Sequence, residues 1–414
     1  MRNYDVLVIG GGASGMTAAI MAARAGASVA VLEHMDTLGK KLLVTGNGKC
    51  NFAAETQGEV DYYGANPAFV VPVFQSFGLE EILAFFQELG IEPYFNRGGY
   101  YPRSGQASAV AAVLLKELQR LGVHIYVQCG IRSIEDAHRQ YKIETKEGNF
   151  YGKCCVLATG GKTFRKSGSD GSGFLYLTGL GHHVTPLFPA LTGFCAKQTF
   201  FQEIAGIRIR AGLTLFVDEK KQAEESGELQ LTAYGLSGIP MFQLAHPAAE
   251  GLQNGRTVRI LVDFYPEISM EKCRHKLRER FACFGNDKNG CEACIGLFPD
   301  KLIPVLFRQA ALDSKKKAGH FSEKELEAFC DQIKAFPVDL TAWHTFDQAQ
   351  VTAGGVDTGE IRNDTLESLL HEGLYFAGEM IDIDGKCGGY NLQWAWASGA
   401  VAGRNAALRS KERA

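Results

Sequence analysis

Apolar residues arrive in short bursts separated by glycine-rich turns, and the spacing of the bursts changes along the chain. Tyr4 to Ile9 is a β-rich apolar run, Gly10 to Gly15 a turn, Met16 to Ala25 an alanine-rich helical stretch, and Ser28 to Leu32 a second apolar run. Together they predict a βαβ unit, the alanines suiting a helix that lies close on a sheet. Ser108 to Leu121 predicts a long helix that leads through Gly122 into a strand over Val123 to Val127. Further strands are expected at Lys142 to Thr145 and Cys154 to Ala158, with a hairpin signal at Glu147-Gly148-Asn149 between them. From about Pro189 to Asp263, short β-branched and aromatic runs such as Leu213 to Val217 and Val258 to Val262 predict antiparallel strands. From Ser269 to Ala335 the chain turns charged and helical, most clearly at Met270 to Phe281 and Ser322 to Phe336. Asp347 to Ala407 returns to strand, glycine-rich turn and helix, with a strand at Gly373 to Ala377. The expected class is therefore α/β. One domain is built from residues 1–188 and 345–414, interrupted by a β insertion over 189–268 and a helical insertion over 269–344.

A chain of 414 residues that is 46% hydrophobic can bury more than one core, which excludes a disordered chain and a disulfide-stapled miniprotein. Lys plus Arg number 43 against 46 Asp plus Glu, a net charge of −3 that supplies no general attraction for nucleic acid or anionic lipid. Met16 to Leu32 is broken by Arg24 and too short for a membrane span. No basic leader precedes Val6 to Ile9, so a cytoplasmic address is expected. Eleven cysteines, an odd number at irregular spacing, suit reduced thiols. Cys291 and Cys294, with Cys273 and Cys283 upstream and His275 beside Cys273, match no compact metal or iron–sulfur pattern, and no metal is expected.

Gly10-Gly11-Gly12-Ala13-Ser14-Gly15 fits G-x-G-x-x-G between a strand and a helix, where a dinucleotide pyrophosphate meets the helix N-terminus. Glu33 follows 18 residues after Gly15, placed to accept from ribose hydroxyls and to disfavour a 2′-phosphate. A second loop, Gly39-Lys40-Lys41-Leu42 and Thr45-Gly46-Asn47-Gly48-Lys49-Cys50-Asn51, reads either as a ligand loop or as a solvated basic loop. Gly378-Glu379 follows a strand, and Gly388-Gly389 opens a helix through Tyr390-Asn391-Leu392, whose N-terminal amides favour an electron-rich ligand. Trp394 and Trp396 are expected in the core. Tyr101, in Tyr100-Tyr101-Pro102-Arg103-Ser104, is a candidate proton donor or part of a surface turn. His182 and His183 are read as a charge interaction at a helix end.

These segments, with Ala158-Thr159-Gly160-Gly161, Tyr234 to Gly238, Val351 to Val356 and Gly388 to Gln393, resemble one bacterial family of FAD-dependent oxidoreductases. It includes aminoacetone oxidases and the 3-dehydro-bile acid Δ4,6-reductase, and the similarity runs from residue 4 to about 405. The resemblance implies a glutathione-reductase-like Rossmann FAD domain, discontinuous in sequence, with the β insertion on the substrate side. It implies FAD contacts from Gly10, Gly12, Ala13, Ser14, Gly15, Glu33, Lys40, Lys41, Gly46, Cys50, Asn51, Thr159, Gly160, Gly378, Glu379, Gly389, Asn391 and Leu392. Lys49 stands where the family usually has arginine, and lacks the planar fork of that side chain. The first expectation for activity is NAD(P)H-dependent reduction of a conjugated C=C bond in a 3-oxo steroid or bile acid, the nicotinamide docking transiently. An amine oxidase that releases peroxide is the alternative, and an RNA-associated flavoprotein the third reading. An apolar small-molecule substrate would call for an apolar lid, for which Ile295 to Phe298 and Leu302 to Phe307 are candidates or else ordinary core.

Overall fold

The computed structural model describes residues 2–137 and 139–413. The chain divides into two compact units, Met1–Pro189 with Phe346–Ala414, and Ala190–Thr345.

In the first unit, strand β1 (Arg2–Ile9) lies between β2 (Val29–Leu32) and the strand Gly148–Leu157, parallel to both. His124–Tyr126 extends the sheet beyond β2, and the antiparallel hairpin Tyr141–Thr145 and Ile131–Asp136 extends it on the other side. Leu374–Phe376, from the far end of the chain, pairs in parallel with Cys155 to Leu157. A parallel core of this kind needs cover on its faces, and Val6 to Ile9 are fully or almost fully buried.

Helix α1 (Ala13–Arg24) and the C-terminal helix Tyr390–Glu412 supply part of that cover and pack on each other nearly backbone to backbone. A methyl group added at Gly399 would lie 2.4 Å from the carbonyl oxygen of Ser14, and one at Gly403 would lie 2.1 Å from that of Ala18. Only residues without a Cβ fit there. α1 begins at Ala13, three residues before the expected Met16, because Gly12 is already an extended N-cap. The helices Val70–Ser76 and Leu79–Glu88 were not foreseen. Pro72 and Gly78 interrupt their periodicity, yet Phe74, Ile82, Phe85 and Phe86 are buried. A small sheet of Ala53–Ala54, Gly99–Pro102 and Pro93–Asn96 carries Tyr101.

The second unit contains a closed six-stranded barrel in the order Phe194–Ala196, Gly235–Gly238, Lys220–Leu231, Arg208–Val217, Val258–Asp263 and Phe336–Trp343. One strand adds to the sequence reading and another corrects it. Lys220–Leu231 has too few apolar residues to announce itself, but it pairs along its length with Arg208–Val217, whose Ala211, Leu213, Leu215 and Val217 are buried. Phe336–Trp343 falls in the stretch 269–344 expected to be helical. Its Phe336, Val338 and Leu340 are buried at every second position, the signature of a strand. The helices Met270–Phe284, Gly290–Cys294, Leu302–Gln309 and Glu323–Lys334 share an aromatic core in which Phe307 stacks on Phe329 at 4.2 Å. Ile303, Val305, Leu306 and Phe307 belong to that core, so this part of the candidate lid is not free to cover a substrate. Among the described residues no single helix is long and apolar enough to cross a membrane.

Gly403→Ala gains at most about 1 kcal/mol in helix propensity but forces overpacking that costs about 1–3 kcal/mol. A lowered urea midpoint is expected; an unchanged or higher midpoint would show that the two helices adjust freely.

Candidate functional site

The turn after β1 has the geometry of an anion cradle. Gly10 has φ +100°, and a Cβ there would lie 2.5 Å from the carbonyl oxygen of Ala158. Nothing lies within 4 Å of the corresponding position at Gly12, so the space in front of the turn is open. The first turn of α1, which holds Ala13, Ser14 and Gly15, has neither a side-chain cap nor an acidic residue, leaving its amides for a ligand anion. Glu33 is almost buried and is aimed by two backbone donors, Gly11 N–H to Oε2 and Met35 N–H to Oε1, each at 2.7 Å. Each carboxylate oxygen keeps a second lone pair for a ribose hydroxyl.

The lysine loop divides its residues between different tasks. Lys41 Nζ donates to Glu379 Oε2 at 2.8 Å and to Thr163 Oγ1 at 2.9 Å. Glu379 Oε1 accepts from Thr352 N–H at 2.7 Å and from Thr163 Oγ1 at 3.2 Å. Burial alone would raise the Glu379 carboxyl, but Lys41 and these donors hold it below the usual range. Lys41 is thus spent within the protein, and Lys40 pairs with Asp36. Cys50 is wholly buried with φ +56°, and burial pushes its thiol up to about 12. The residue is wholly enclosed by protein and its N–H bonds the Thr45 carbonyl, so its thiol is closed to a ligand. Gly46 abuts the backbone of Asn51.

Asn51 is the most informative residue of this loop. Its Oδ1 is buried and has no partner among the described residues. Cβ atoms added at Gly99 and Gly389 would lie 2.5 and 2.7 Å from that oxygen. An orphaned acceptor beside glycine backbone is costly unless a ligand donor completes it.

Gly389 caps the C-terminal helix in the left-handed region, φ +108°, again with no side-chain cap and no acid in the first turn. The Asn391 side chain is engaged with Gly385, donating to its carbonyl and accepting from its amide at 2.8 Å each, and Leu392 packs against the core. The buried Trp394 and Trp396 donate to the carbonyls of Gly378 and Phe52, at 3.1 and 2.8 Å. Gly378 N–H donates to Ser398 Oγ, a partner the sequence reading missed, and a Cβ at Gly378 would strike Ser14 Oγ at 2.5 Å. Thr159 donates to Met380 Sδ, and Gly160 abuts Ser169. Tyr101 is half-buried; burial, with the Cys387 thiol beside it, raises its phenol, so it stays protonated at neutral pH.

Two uncapped helix starts, an oriented acid at the end of β2, open space before Gly12 and one orphaned amide oxygen together fit a dinucleotide with an electron-rich ring, as FAD is. Among the described residues no group of three or more His, Cys, Asp or Glu is arranged to hold a metal. His182 departs from its reading as a helix-end charge. It is buried, with Nδ1 2.7 Å from Glu360 and Nε2 2.9 Å from Ser368 Oγ. Ser368 Oγ already accepts from the amides of Leu370 and His371, so it donates to Nε2 and the ring proton sits on Nδ1, toward Glu360. This acid–His–Ser chain is a structural lock, since its hydroxyl oxygen has no lone pair left for attack.

Glu379, held below its ordinary 4.5, stabilises the fold fully above that value and loses its contribution as pH falls through its lowered one. The stability difference between the wild type and Glu379→Gln should therefore shrink on acidification from pH 6 toward pH 3, and a difference that grows would show that the carboxylate is unpaired.

Residues 4–405 match the family model described as HI0933-like protein Rossmann domain. The 3-dehydro-bile acid delta(4,6)-reductase of Clostridium scindens is 40% identical over 409 residues, covering 97% of this chain and 98% of the relative. The ribosomal RNA dihydrouridine synthase of Haemophilus influenzae is 25% identical over 406 residues, covering 96% and 97%. Among solved structures, the 3-ketosteroid delta1-dehydrogenase of Sterolibacterium denitrificans matches with a TM-score of 0.51 and 13% identity over 99% of this chain and 100% of its own, a likeness of fold. With a glycine cradle, a carboxylate aimed by two backbone amides and a family match that spans nearly the whole length, the chain belongs to the HI0933-like Rossmann-domain family.

Proposed function

We propose that this FAD-dependent oxidoreductase reduces a C=C bond conjugated to the 3-oxo group of a bile acid or related steroid, with NAD(P)H as the hydride source. The observation that carries the reading is the 40% identity, over 97% of the chain, to a reductase named for that reaction. When bound, FAD supplies a two-electron carrier. The protein's own part is positional and electrostatic. The first turn of α1 and Glu33 would hold the pyrophosphate and ribose, and the amides after Gly389 would stabilise negative charge on the ring. Asn51 Oδ1 would take a ring or ribose donor. Saturating an enone also requires a proton at the carbon next to the carbonyl, and Tyr101 Oη, held protonated, supports that role. Only one strand–glycine–helix fingerprint occurs in the sequence, which supports a transient visit by the nicotinamide.

A second reading has its own support in the identity to ribosomal RNA dihydrouridine synthases. Their product is a uracil ring with its C5–C6 bond saturated, so the same enone-type chemistry serves a different substrate. The lower identity and the net charge of −3 favour the steroid.

Mixing the yellow enzyme anaerobically with NADH or NADPH should bleach the flavin, and a 3-oxo-4,6-diene bile acid should restore its colour. If the bleached enzyme ignores the steroid but is recoloured by uridine-containing ribosomal RNA, the second reading replaces the first. Bleaching by aminoacetone, with peroxide on admitting air, would instead point to the amine oxidase. Tyr101→Phe should slow the recolouring step by about a hundredfold or more and leave bleaching unchanged; a variant that recolours as fast as the wild type would remove Tyr101 from the chemistry.

A further inference from the structure

The helical part of the second unit holds a cavity of about 370 Å³, within the range of about 300–1,000 Å³ usual for small-molecule sites. Its walls include Leu277, Leu297, Phe298 and Ile333. Two of the charged residues in the lining, Lys276 and Arg280, are cations. Lys276 lines the cavity and lies over the Tyr265 ring at 5.9 Å. Arg280 lines it too, donating to the carbonyls of Ala293 and Ile295 and lying 5.2 Å from the centre of the Phe284 ring. Lys288 sits 3.9 Å from the centre of that same ring. Among the described residues none of the three forms an ion pair with a carboxylate, in a chain whose acids outnumber its bases. The one acid in the lining, Glu279, pairs with His275 at 3.3 Å.

A ring face leaves the net charge of an ammonium group uncancelled, whereas a carboxylate cancels it. Two lining cations resting on aromatic rings, with Lys288 on the Phe284 ring as well, are therefore arranged for an anion that brings its own apolar body. The geometry points to a binding site for an amphipathic monocarboxylate, its hydrocarbon part against Leu277, Phe298 and Ile333 and its carboxylate near Lys276. The site lies wholly in the second unit and is independent of the reaction proposed above, so neither stands or falls with the other.

Cys283 lines the same cavity and is exposed, which makes it a reporter. The test follows its alkylation by iodoacetamide in the FAD-loaded enzyme through peptide mass spectrometry, with laurate and dodecanol as matched probes. Cys291, which is partly exposed but outside the lining, serves as control. Laurate should slow Cys283 and leave Cys291 unchanged. Dodecanol should need about tenfold more ligand for the same protection, and Lys276→Gln should weaken laurate by about tenfold, as the loss of one charge-assisted contact implies. The proposal is overturned if laurate leaves Cys283 unprotected, if both cysteines slow together, if the alcohol protects equally, or if Lys276→Gln protects like the wild type. Leu277→Ala, read in the same way, should weaken both probes; unchanged protection by both would place them elsewhere.

Discussion

The near-contact of two helix backbones, α1 and the helix Tyr390–Glu412, is the constraint on which the first unit depends. The helices come from opposite ends of the chain, and their approach is set by Gly399 against Ser14 and Gly403 against Ala18, with no side chain between. Because Ser14 lies in the first turn of α1, the same contact fixes where the open amides of that turn point. Close packing of this kind permits few alternative distances. The strand Leu374–Phe376 joins the parallel sheet beside Gly148–Leu157 for the same reason: the chain end must return to the sheet for its helix to reach α1.

Charge at the candidate site follows a division of labour. Two of the three lysines that seemed suited to a ligand are already paired, Lys41 with the half-buried Glu379 and Lys40 with Asp36 at the surface. Beside the exposed Lys49, what remains for an anion is backbone: the open starts of two helices. Backbone dipoles carry no side-chain entropy cost on binding and cannot be deprotonated, which suits a cofactor that stays in place.

The first βαβ unit, the glycine turn and Glu33 were legible because each rests on local chemistry within 30 residues. The hidden features depend on distant partners. Lys220–Leu231 looks like a solvated charged segment until its neighbour Arg208–Val217 supplies the buried face, and Phe336–Trp343 looks like the continuation of a helix until the barrel needs a sixth strand. At the site, the resemblance implied a cofactor contact at Asn51, but the orphaned state of its oxygen appears only once Gly99 and Gly389 are brought beside it. Cys50 shows the opposite effect: a polar-looking neighbour of the ligand loop has its side chain turned fully into protein.

The barrel pairs its first strand, Phe194–Ala196, with its last, Phe336–Trp343, and His344 N–H bonds the carbonyl of Gly193 at 2.8 Å. Chain therefore leaves and rejoins the nucleotide-binding core through two peptide segments tied side by side. Such an arrangement closes the inserted unit at its own neck: entry and exit are held a single hydrogen-bonded ladder apart, so the loop they bound is fixed by the insert's own strands.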